Sequence, residues 1–176
     1  MKPVLMLHEF KEEFLDLPLE NYILTFDDGL YTQYKFLDNI KKIKTKKYFF
    51  ISSGIVCPEY IDQNNEYISC VEAHNKAFKG NFSNYMKWSQ INEINQIENC
   101  FIGCHSHYHK LKTADCVECI IDDNKQMSFE FIKNLDFIPD NFCFPYNYET
   151  PLYKEILNLK GFKNFYSAER IDINDI

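Results

Sequence analysis

Six short apolar runs recur along the chain, with helix-patterned segments between them. PVLMLH (3–8), YILTF (22–26), KYFFIS (47–52), NCFIGC (99–104), NFCFP (141–145) and NFYSA (164–168) are rich in strand-forming residues, as buried strands tend to be. Between them Leu30, Tyr34, Leu37, Ile40 and Ile43 make one stripe at helical spacing, and Val117, Ile120, Ile121, Phe131, Ile132 and Leu135 make a longer one. Pro151 suits the first turn of a further helix carrying Leu152 and Ile156, which Gly161 would end. Strands that alternate with helices imply βα units. The pattern therefore predicts an α/β fold on a mostly parallel sheet, doubly wound or closed into a barrel, and periodicity alone does not choose between them.

No repeat, low-complexity tract or Pro/Gly-rich linker interrupts residues 1–176, so one domain is expected. The stretch at about 54–85 has no clear period and is rich in polar and aromatic residues; it reads as a loop or small cap inserted after the third strand. A net charge of −7 argues against binding nucleic acid, since affinity for phosphate backbones comes from clustered Lys and Arg. The one basic run, KKIKTKK (41–47), is expected to solvate a helix end. No apolar run approaches the roughly 20 residues that span a bilayer. No signal peptide is evident at the start, and an odd count of seven cysteines does not suggest a disulfide frame, so a cytoplasmic location is expected.

Ligands of parallel α/β folds gather at the carboxyl ends of strands, and three of those ends carry chemistry here. The second run leads into TFDDG, with Asp27, Asp28 and Gly29. Adjacent buried carboxylates repel, and a divalent cation relieves this by binding one and leaving the other free as a base. An ordinary turn with Asp28 as a helix cap is the alternative. The fourth run leads into HSHYH, where His105 and His109 stand four apart and can reach one metal ion while His107 points elsewhere. Imidazole suits zinc and other late first-row metals. Two histidines and one carboxylate leave a coordination position open, as catalytic rather than structural sites do. The fifth run ends FCFPYNY (142–148), where Pro145 fixes the backbone and the Tyr146 amide could stabilise an oxyanion; a turn with a packed Tyr is the plainer reading. Cys100, Cys104, Cys116 and Cys119 have a spacing that also admits a structural zinc site or a redox role, although the first pair falls on an expected buried strand.

Taken together, TFDDG, HSHYH and FPYN resemble the motifs of the polysaccharide deacetylase family, the carbohydrate esterases that include chitin, peptidoglycan and nodulation-factor deacetylases. The first two match closely, and the third keeps Pro145 and Tyr146. The resemblance implies an incomplete, distorted (β/α) barrel with an open substrate groove. It implies a divalent metal, zinc foremost, held by Asp28, His105 and His109, with Asp27 as the catalytic base. Pro145 and Tyr146 would line the substrate site, the Tyr146 amide sharing the charge of the tetrahedral intermediate. The chain departs from the pattern at Cys143, where an Arg that orients the base is usual, and at Asn147, where Gly is usual. No His follows His109 to serve as the family's general acid, which leaves His107, a residue of the inserted segment, or solvent as the source of that proton, if it is supplied at all. The chain ends soon after the sixth run, so the barrel looks shortened, with an open edge that a second copy could cover.

These residues point to a metal-dependent hydrolase that removes an N-acyl group, N-acetyl foremost, from an amino sugar or carbohydrate intermediate. Two other readings stand beside it. One is a noncatalytic relative that keeps the metal and binds glycans or serves as a scaffold; the other is an amide or ester hydrolase acting on a non-sugar substrate.

Overall fold

The computed structural model describes residues 2–176. All six apolar runs form strands: β1 (Val4–Leu7), β2 (Ile23–Phe26), β3 (Lys47–Ile51), β4 (Cys100–Cys104), β5 (Asn141–Cys143) and β6 (Asn164–Tyr166). A seventh, β7 (Ile171–Asp172), is two residues long and leaves no periodic trace in sequence. The strands pair in parallel in the order β6-β5-β4-β3-β2-β1-β7.

That order dictates the shape of the sheet. β6 and β7 lie at opposite edges, yet only residues 167–170 join them. Such a link reaches at most about 18 Å, whereas the edges of a flat seven-stranded sheet would stand about 29 Å apart. The sheet must curl. Its concave side is accordingly filled by side chains that meet across it: the Tyr166 ring of β6 lies 4.9 Å from that of Phe50 and 5.5 Å from that of Tyr48, both on β3. Gly103 on β4 leaves room for this packing, since a Cβ there would come within 2.5 Å of the Phe50 ring. The result is an incomplete, distorted barrel, because β6 and β7 do not pair with each other.

Helices cover the convex side. The expected single stripe over Leu30–Ile43 is divided into α1 (Tyr31–Lys35) and α2 (Leu37–Ile40). Phe36 between them leaves helical geometry at φ −98°, ψ 13°, and its ring packs on Phe10. α3 (Cys70–Ala77) lies in the segment after β3, α4 (Trp88–Asn95) precedes β4, α5 (Val117–Leu135) links β4 to β5, and α6 (Pro151–Leu159) links β5 to β6. On α5 the buried face runs through Ile120, Met127, Phe131 and Leu135, while Ile121 and Ile132 are exposed. Lys47, the end of the basic run, does not solvate a helix: it opens β3 fully buried, its ammonium donating to the Ile43 and Thr45 carbonyls. Residues 54–85 hold α3 and a small apolar cluster of their own, built from Ile55, Cys57, Ile68, Ala73, Ala77 and Tyr85 with Leu30. No helix among the described residues is long and apolar enough to cross a membrane.

Candidate active site

The carboxyl ends of β1, β2, β4 and β5 open into one cavity of about 410 Å³, lined by His8, Asp27, Asp28, Cys70, His74, His105, His109 and Tyr146 among others. The turns that follow these strands are conformationally costly. Asp28, Ser106, His109, Tyr146 and Asn147 all adopt positive φ, between 50° and 72°, a region that L-residues with side chains occupy only when surroundings enforce it. Buried hydrogen bonds supply that enforcement. Gln33 donates from Nε2 to the His8 and Asp27 carbonyls, tying the ends of β1 and β2 together. The Asp123 carboxylate of α5 accepts from the amides of His107 and Tyr108, and the Ser106 hydroxyl accepts from the His109 amide.

Asp28, His105 and His109 converge. The Nε2 atoms of His105 and His109 lie 3.1 and 3.0 Å from Asp28 Oδ1, with all three residues almost fully buried. Nδ1 of His105 is engaged with the Cys143 carbonyl at 2.8 Å, which turns its Nε2 lone pair toward Asp28. Asp28 Oδ1 itself is buried without a hydrogen-bond partner. Imidazole lone pairs gathered round an unpartnered carboxylate oxygen, all shielded from water, form a donor set that fits a divalent cation. Burial alone would raise the Asp28 carboxyl, but His109 and His105 hold it well below the usual carboxylate range. Burial lowers the His109 imidazole, whereas at His105 burial is outweighed by the Cys143 and Asp28 contacts, which raise it well above the ordinary value, so His105 must release a proton to ligate.

Asp27 lies beside this cluster and is held by a residue the motifs do not contain. Arg170 Nη1 donates to Asp27 Oδ1 at 2.8 Å and to the Thr25 hydroxyl at 3.0 Å, its Nε donates to the Ser167 carbonyl, and its Nη2 donates to Asn147 Oδ1 at 2.8 Å. Burial would raise the Asp27 carboxyl; Arg170 and then His105 reverse the sign and leave it below the ordinary value. Burial, and then the neighbouring Asp27, push the Cys143 thiol up to about 11, so it stays protonated and can donate to Asp27 Oδ2 at 3.4 Å. The departures at Cys143 and Asn147 thus belong together with Arg170: a guanidinium reaches Asp27 from residue 170 rather than 143, the thiol at 143 touches the other carboxylate oxygen, and Asn147 anchors the guanidinium. Arg170 is the only arginine among the chain's 19 basic residues, a signal that its position after the last recognisable strand obscured.

Tyr146 and Pro145 follow β5, but Pro145 is buried and does not line the cavity, which corrects its expected place in the substrate site. Tyr146 lines the cavity, its ring 4.8 Å from that of His109 and its hydroxyl donating to the His109 carbonyl. His107 is not brought to this centre, which corrects its candidacy as a substitute acid. Its Nδ1 meets the Ser53 hydroxyl at 3.0 Å, its ring packs against Gly54, and it does not line the cavity. Four of the five histidines do line it, including His8 and His74, which the motifs did not single out. The four cysteines considered for a second site do not form one: Cys100 and Cys104 are buried in the main core, and no group of metal-capable donors among the described residues includes them or Cys116 and Cys119.

Comparison with solved structures places the fold among known scaffolds. IcaB from Ammonifex degensii superposes with a TM-score of 0.70 at 19% identity, covering 98% of this chain and 85% of that one. A deacetylase from Streptococcus pyogenes, PplD in complex with acetate, gives 0.64 at 14% identity, covering 91% and 80%. A chain from Bacillus anthracis described as a CE4 family pseudoenzyme gives 0.55 at 14% identity, covering 94% of this chain and 43% of that one. No curated protein sequence matches. The sequence profile described as polysaccharide deacetylase matches residues 17–165, most of the length, and the chain belongs to the polysaccharide deacetylase family.

Proposed function

We propose that the protein is a metal-dependent hydrolase that removes an N-acyl group, N-acetyl foremost, from an amino sugar or carbohydrate substrate. The observation that carries this reading is the pairing of two distinct carboxylates at one strand end: Asp28 Oδ1 among imidazole nitrogens, and Asp27 beside it, fixed by Arg170. Asp28, His105 and His109 would hold a divalent cation, zinc foremost by its donor set, which when bound supplies a Lewis acid and makes water acidic near neutral pH. Asp27 would take the proton of the attacking water. Arg170 keeps that carboxylate ionised and aimed, and the short Asp27 side chain leaves little freedom once Arg170 and Cys143 engage its two oxygens. The Tyr146 amide would face the developing oxyanion, and the exposed Tyr146 and Phe78 side chains border the cavity as apolar walls for a sugar ring.

Acetate release from N-acetylglucosamine oligosaccharides by zinc-reconstituted protein tests the assignment. Asp27→Asn is expected to lower the rate at least a thousandfold while leaving oligosaccharide affinity within about threefold. A noncatalytic glycan binder would show affinity and no hydrolysis in either form. Hydrolysis of simple acyl esters or amides, with none of acylated sugars, would instead identify a non-sugar substrate.

A further inference from the structure

The inserted segment sends a second pair of donors to Asp28. Cys70 and His74 stand four apart on α3 and so share one face of it, and that face meets the metal cluster. The Cys70 thiol donates to Asp28 Oδ2 at 3.0 Å, which leaves Oδ1 as the oxygen turned to the histidines. His74 Nδ1 contacts the Cys70 carbonyl at 3.1 Å, an i to i−4 bond that fixes the proton on Nδ1 and the lone pair on Nε2. That Nε2 lies 3.8 Å from Asp28 Oδ1, is buried, and has no hydrogen-bond partner. The His74 ring lies over that of His109 with centroids 4.3 Å apart. Asp28, His74 and His109 each offer a donor atom within 4.8 Å of the others.

Donors bound at about 2.0–2.2 Å to one ion stand roughly 3–3.5 Å from each other. From Asp28 Oδ1 the nitrogens of His109, His105 and His74 stand at 3.0, 3.1 and 3.8 Å, at or close to that separation. A buried imidazole whose lone pair has no other partner loses a hydrogen bond unless something there accepts it. We infer that His74 is a fourth protein ligand to the cation held by Asp28, His105 and His109, delivered by α3 of the inserted segment. The inference rests on the metal site proposed above and extends its donor set to three imidazoles and one carboxylate. Water or substrate then binds as a fifth ligand, and α3 becomes part of the metal centre rather than a cover over it.

Metal-free protein titrated with Zn2+ against a chromophoric chelator, and with Co2+ followed by visible absorption, tests this directly. His74→Ala is expected to weaken Zn2+ at least tenfold and to change the position and intensity of the Co2+ bands. X-ray absorption of the zinc form should fit three imidazoles in the parent and two in the variant. His107→Ala, which removes a histidine that does not line the cavity, serves as the control and should change neither titration. Circular dichroism of the metal-free variants checks their folding; should His74→Ala fail to fold, His74→Gln, which keeps a polar atom but ligates poorly, decides. Parent-like Zn2+ affinity and Co2+ bands in the folded His74 variant would overturn the inference. If His105→Ala and His109→Ala are equally without effect, the metal site itself is wrong; if they lose Zn2+ while the His74 variant keeps it, only the fourth ligand is wrong.

Discussion

A single guanidinium decides how Asp27 behaves. Asp27 is buried and its pKa is held below the ordinary value, so the folded state binds fewer protons there than the unfolded chain does. The stability this contributes is present above the unfolded pKa near 4 and is lost as pH falls through the depressed folded value. Arg170→Met removes the ion pair and leaves burial as the dominant influence, so the Asp27 pKa should rise. The acid limb of the pH profile for kcat/KM, measured at saturating metal, is expected to move to higher pH, with KM changing less than kcat. Equilibrium denaturation should register a loss of about 3–5 kcal/mol, since a buried charge would lose its partner. At this scale the residues of the proposed metal site were legible, because Asp28, His105 and His109 stand in compact motifs at strand ends. Arg170 and His74 were not, because folding alone brings residue 170 to residue 27 and residue 74 to residue 28.

Elements pack through choices as local as one missing methyl. Gly103→Ala would drive a Cβ into the Phe50 ring on the neighbouring strand, and overpacking of that kind costs about 1–3 kcal/mol. A thermal melt is expected to show a Tm lower by roughly 2–4 °C for each kcal/mol, with Phe50→Leu in the same chain restoring part of it. No coupling between the two substitutions would mean that the concave side is not packed as described. Strand identity was readable from apolar runs, and α5 and α6 from their periodicity and from Pro151. The break between α1 and α2 was not, because Phe36 continues an apolar pattern yet turns its ring toward Phe10. Nor could the pattern say that Ile121 and Ile132 face solvent, since both sit near the edge of a stripe whose centre the sheet decides.

At the scale of the whole molecule, the link over residues 167–170 curls the sheet and sets β7 beside β1. Ending the chain after Tyr166 would strip β1 of its edge partner, remove Ile173 from the core and leave Asp27 unpaired. Such a chain should melt below Arg170→Met, which loses only the ion pair; an equal Tm would show that β7 contributes nothing. The parallel α/β class followed from alternation in the sequence, whereas the curl follows from a two-residue strand too short to carry a period. The Asp27–Arg170 contact spans 143 positions of sequence, and it gives the protein an order of assembly. During synthesis the residues that would bind metal are all present once His109 has been made, but Asp27 acquires its partner only when Arg170 leaves the ribosome. A nascent chain would thus carry every residue of the proposed metal site well before Asp27 gains the contact that keeps it ionised.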